Sequence, residues 1–168
     1  MRSPGVEVRQ IRQISGTSNF CEVFLSDVRI PDHHRLGAIG QGWAVALTML
    51  ANERFVVGEA EGPGAEDILA FAESATLDGQ PALQDASVRE KIADWYVQEQ
   101  GLKYTRLRSQ TALSRGGVPG PEASIAKLVS ATKLQQIAMF GVDLLGQGGA
   151  VMEPGTAPLN AWFQEAVL

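Results

Sequence analysis

After the stretch PDHHRLGAIGQG, residues 31–42, the spacing of apolar side chains changes from two to about 3.6 and keeps that value through the rest of the chain. A chain so patterned is mainly α. It predicts an antiparallel up-and-down helical bundle preceded by a short N-terminal two-strand β segment.

Upstream of the change, GVEVRQI alternates Val6, Val8 and Ile11 with polar neighbours, and FCEVFLSDVRI is rich in aromatic and β-branched residues. Two strands are expected, joined by RQISGTSN, a turn longer than a two-residue hairpin connection. Two strands rarely hold alone, so they either pack on the helices or belong to a sheet with further strands.

Downstream, a first helix is expected from about Gly42 to the mid-seventies, kinked at Gly62 and Pro63, because proline lacks the amide and its ring clashes with the preceding turn. SVRE at 87–90 has the form of a capping box opening a second helix of about 28 residues, which Gly116 and Gly117 stop. A third opens near PGPEAS, with Pro121 at the first helical position, and ends at LLGQGG. APLNAWFQEAVL begins another.

Composition fits one ordinary globular domain: 168 residues, 45% apolar and 20% charged. A net charge of -5 without clustered Lys or Arg argues against nucleic acid as a partner. Cys21 has no partner for an internal disulfide, and no secretory leader or long apolar run is visible, so a cytoplasmic location without a membrane span is expected. Cys21 reads as a small buried residue within a strand. His33 and His34, adjacent in a charged loop, read as surface residues and not as metal ligands. Trp43, Trp95 and Trp162 read as core or interface anchors, and Lys127 as a partner for a glutamate in preference to a phosphate.

One residue has two readings: taken alone, a glutamate beside an arginine on a helix reads as a solvated or paired surface residue, but its neighbours suggest more. In TMLANERFVVGEA, Glu53 falls on the same helix face as Ala46, Leu50 and Val57, where a core would place leucine. A carboxylate lined by Leu50 and Val57 would have its pKa raised by desolvation, which suits a general base near neutral pH.

The order of an F.EVF..DVR.P strand, an LG....GW loop and an amphipathic helix ending in Glu53-Arg54 resembles the junction between the middle β-domain and C-terminal helical domain of acyl-CoA dehydrogenases. PEASIAKL and DLLGQGG resemble the Ser-x-x-Lys helix and glycine-rich turn of the same helical domain. The resemblance implies that residues 1–32 are the last strands of the middle β-domain, in part. Residues 41–168 are then the C-terminal helical bundle domain, with its last helix cut short.

It further implies an FAD-dependent oxidoreductase, a flavoprotein of fatty acid metabolism, that dehydrogenates an acyl-CoA thioester between its α and β carbons. Glu53 occupies the place of the catalytic base in part of that family, with Leu50, Arg54 and Val57 as substrate-lining candidates. The flavin accepts the hydride, and Gly146, Gly148 and Gly149 are candidates for approach to it. Their alternative reading is a helix C-cap.

At the flavin-diphosphate turn the chain departs from the family pattern Arg-x-Thr-Phe-Gly. ESATLDGQPAL has Ala75, Leu77 and Asp78 there, keeping only Gly79, and Asp143 stands where a glutamine often precedes the glycine-rich turn. Two readings follow. The chain is a fragment or subunit of an acyl-CoA dehydrogenase, inactive alone and assembled as a homo- or hetero-oligomer with similar subunits. Alternatively, it is a non-catalytic helical dimerisation module of the same ancestry.

Overall fold

Alternation of β-branched and polar residues produces the first two elements, β1 at Val6–Ile11 and β2 at Phe20–Leu25, paired antiparallel with Val6 opposite Leu25 and Ile11 opposite Phe20. The structure, a computed structural model, describes residues 3–56, 62–117, 120–153 and 155–168. It divides into two units, residues 1–49 and residues 50–167.

In the first unit Gln13 organises the long β1–β2 connection. Its side-chain oxygen accepts from the Asn19 amide at 3.1 Å, and its own amide donates to the Thr17 carbonyl at 2.9 Å. The strands' side chains are exposed apart from the half-buried Val6, and Cys21 is exposed with them, contrary to the buried position expected of it. Alternation shows which side chains face alike, not whether a layer covers them.

Past β2, Arg35 closes a short turn by donating to both oxygens of Asp32 and to the Gly37 carbonyl. Helix α1, Gly42–Val56, then begins. Its first turns belong to this unit, and Trp43 at its start is 74% exposed, not a core anchor.

The helix expected to run on to the mid-seventies is two helices. Gly62 takes φ +148°, a value no helix accepts, and Gly64 is extended and caps α2, Ala65–Ser74. Pro63 between them is fully buried. Glycine freedom at Gly62, directly before a proline, turns the expected kink into a break.

α2 ends in a small hairpin, β3 at Thr76–Leu77 and β4 at Gln80–Pro81, whose two-residue turn, Asp78-Gly79, has positive φ at both positions. Helix α3, Ala86–Ser114, follows. Its N-cap is Asp85 and not Ser87: the Asp85 carboxylate accepts from the amides of Ser87 and Val88 and from the Ser87 hydroxyl. At the far end the Gly116 and Gly117 amides donate to Leu113 and Ala112, and Gly116 has φ +83°, the expected glycine stop.

Helix α4, Glu122–Leu144, takes Pro121 as its cap instead of its first residue. It runs antiparallel to α3: Trp95 lies against Phe140 and donates its indole N–H to Gln136, while Glu99, further along α3, meets Lys133, further back along α4. Beyond a turn at Gly146–Ala150, Leu159, Asn160 and Ala161 all adopt positive φ, so α5 starts only at Trp162 and runs to Val167.

The core of this unit gathers Ile68 and Ala72 from α2, Val88, Ile92 and Trp95 from α3, Ile137 and Leu144 from α4, and Phe163 from α5. Of the three tryptophans only Trp95 is buried. The architecture is the expected mainly helical one with a short two-strand N-terminal sheet. Among the described residues no helix is long and apolar enough to cross a membrane.

Candidate functional site

Glu53 lies three residues after Leu50 on α1, so helical geometry sets the two on one side of the helix, as the spacing required. Both are exposed, and the apolar enclosure expected around Glu53 is absent among the described residues. Arg54 belongs to the same helix, but its side chain, like Val57 as a whole, lies outside the described residues.

The glycine-rich turn is described throughout. Gly146 takes φ +56° with open space where a side chain would stand. Gly149 is buried, and a β-carbon there would come 2.5 Å from the Val142 carbonyl oxygen. One on Gly148 would sit 3.1 Å from the Pro158 ring. Both glycines therefore permit close packing of the turn on its own chain.

Sequence reasoning missed the residue that fastens this turn. Gln164 of α5, buried, donates from Nε2 to the carbonyls of Val151 at 3.1 Å and Gly148 at 3.4 Å. A buried glutamine has no local sequence signature, because its partners lie elsewhere along the chain. The β3–β4 hairpin did have one, the Asp-Gly pair in LDGQ.

The hairpin holds the positions at which the resemblance implies a flavin diphosphate contact. Ala75 and Leu77 pack against the core, and Asp78 is exposed at the tip. A diphosphate needs hydrogen-bond donors and positive charge, whereas Ala75, Leu77 and Asp78 offer two apolar side chains and a carboxylate. Asp143, beside the glycine-rich turn, is a second exposed carboxylate. These residues do not fit the cofactor's diphosphate.

The remaining candidates are structural. His33 and His34 stand edge to face with ring centres 4.4 Å apart in an exposed turn, and the described residues contain no group of three or more His, Cys, Asp or Glu suited to a metal. Lys127 is exposed and, among the described residues, forms no ion pair; the lysine that meets a glutamate is Lys133, with Glu99.

Residues 40–167 match the family model described as acyl-CoA dehydrogenase, C-terminal domain. The acyl-CoA dehydrogenase FadE34 of Mycobacterium tuberculosis is 35% identical over 153 residues, which are 90% of this chain and 20% of that protein. In fold, butyryl-CoA dehydrogenase from Megasphaera elsdenii superposes with a TM-score of 0.76 at 23% identity, over 98% of this chain and 45% of that one. The ChsE4-ChsE5 complex of Mycobacterium tuberculosis gives a TM-score of 0.72 at 17% identity, over 99% of this chain and 44% of that one. The chain thus spans less than half the length of each protein that it matches here.

Proposed function

We propose the following role for this chain, which belongs to the acyl-CoA dehydrogenase family through the C-terminal domain: it is the helical part of an assembly that dehydrogenates an acyl-CoA thioester, with Glu53 as the base. One observation carries the reading. Within the matched region, α1 sets Glu53 directly before Arg54, one turn after Leu50 and on its side of the helix. The thioester carbonyl acidifies the α-carbon, the Glu53 carboxylate takes that proton, and the hydride leaving the β-carbon would pass to a flavin held by another part of the assembly. Leu50, with Arg54 and Val57, contributes to the wall along which the acyl chain lies. Glu53 is exposed in the chain alone, so the remaining walls, and the desolvation that makes a carboxylate a stronger base, come from other parts of the assembly.

The test is Glu53→Gln in the assembled enzyme, a near-isosteric change that removes the base. Turnover is expected to disappear while acyl-CoA binding persists. Retained turnover would take Glu53 out of the role.

A second reading has its own support. Ala75, Leu77 and Asp78 supply no donor side chain for a diphosphate, and α4 exposes Ile125, Leu128 and Met139; both suit a helical module that serves to assemble subunits. Under this reading Glu53→Gln leaves the activity of any complex unchanged.

A further inference from the structure

Helix α3 carries a second pattern on the side away from its core. Val88, Ile92 and Trp95 face inward and are buried. The positions two residues further on, about 200° round the helix, are exposed along its whole length. They run through Asp94, Val97, Gly101, Tyr104 and Arg108 in alternating steps of three and four, the spacing of a helix that lies along another helix. Glu90 continues the row towards its start and Arg115 ends it. The row is therefore acidic before its midpoint, apolar around it and basic after it.

Gly101 is that midpoint. A glycine inside a helix is a poor helix former, and the chain's own packing does not require one there: a β-carbon on Gly101 would meet nothing within 4 Å. A missing side chain at an exposed midpoint instead suits the close approach of a second backbone. Val97 and Tyr104, on either side of it, are 66% and 62% exposed. Asp94 accepts from Gln98 Nε2 at 2.7 Å, and Arg108 forms no ion pair among the described residues, so both charges remain open to a partner.

Asp94 and Arg108 each stand seven residues from Gly101, about 10 Å along the axis. A copy of the helix turned end for end about Gly101 sets Asp94 against Arg108 at both ends and Val97 beside Tyr104. Parallel pairing would set like charges together. The row is thus complementary to itself in the antiparallel sense alone, the relation that a two-fold interface requires.

We propose that α3 pairs antiparallel with the α3 of a second copy of this chain, crossing it at Gly101. This row is not the apolar layer of α4, and the pairing stands whether or not Glu53 is the base.

The test exchanges charge between two variants of the full chain and follows association by sedimentation. Asp94→Arg sets arginine against arginine, and Arg108→Asp sets aspartate against aspartate. Each should raise the dissociation constant of the self-association about tenfold. An equimolar mixture of the two should recover wild-type affinity, because only a pair of unlike chains brings opposite charges together at both ends. In a Cys21→Ser background, Gly101→Cys should form an interchain disulfide on mild oxidation, whereas Tyr96→Cys, on another side of α3, should not. A monomeric wild type, either charge variant keeping wild-type affinity, a mixture no tighter than its components, or Tyr96→Cys crosslinking as fast as Gly101→Cys would each overturn the proposal.

Discussion

The ring of Phe163 lies so close to Gly141 that a β-carbon on the glycine would come within 2.5 Å of the ring's Cγ. Phe163 is fully buried, so the ring has nowhere to retreat, and α4 and α5 meet at the closest distance their backbones and this ring allow. Gly141→Ala should therefore destabilise the bundle despite alanine's better helix propensity. Overpacking of this kind costs about 1–3 kcal/mol, and each kcal/mol lowers the melting midpoint by about 2–4 °C in a chain of this size. Combining it with Phe163→Leu should cost less than the sum of the two single changes. Strict additivity in thermal denaturation would show that the ring is not what excludes the side chain.

Asp85 gives the chain an acid-sensitive helix cap. Its carboxyl is held below the ordinary value of 3.8, first by the Ser87 hydroxyl and then by the amides of Ser87 and Val88. A depressed folded-state value means that the stabilisation is complete above the unfolded-state value and disappears as pH falls through the folded-state one. Asp85→Ala should lower the urea midpoint at pH 7. Asp85→Asn, which still accepts from the amides, should lie between alanine and wild type, and its deficit should shrink as pH falls below about 4. Wild type and Asp85→Asn losing stability in parallel below that pH would contradict the assignment.

These two cases mark what was legible in the sequence. The long period-3.6 segments gave α3 and α4 nearly whole, and Gly116 stopped α3 where a glycine was needed. Start signals were less decisive, because Asp85 and Ser87 both favour a cap. The carboxylate prevails by collecting three donors, one of them the competing hydroxyl itself. Glu99 and Lys133 stand 34 residues apart, and no local pattern announces such a pair. For the site, the helical spacing of Leu50 and Glu53 was legible. Their exposure was not, since periodicity identifies a face and leaves open what covers it.

The outer side of α3 and α4 should associate. Val97, Tyr104 and Leu107 on α3 and Ile125, Leu128 and Met139 on α4 are all exposed, and Leu128 is 70% so. On α4 the three share one side of the helix and form an apolar layer of the kind monomers seldom leave open. Sedimentation at micromolar concentration should give a mass above the 18.0 kDa of one chain. Leu128→Glu, which puts a charge into that layer, should return the chain towards the monomer. A monomeric wild type would count against the interface.

The hairpin makes a prediction about flavin. With Ala75 and Leu77 turned into the core and Asp78 at the tip, a flavin diphosphate brought to β3–β4 meets no donor side chain from those positions and one like charge. The purified chain should therefore show no flavin absorbance, and titration with FAD should neither quench its flavin fluorescence nor raise the chain's melting midpoint, whereas any ligand bound to the folded state would raise it. Asp78→Asn removes the like charge without supplying a cation, so it should leave FAD unbound as well. Tight binding by the wild-type chain would mean that the hairpin is not where the diphosphate lies. Binding gained by Asp78→Asn alone would mean that one carboxylate, and not the missing donors, keeps the cofactor away.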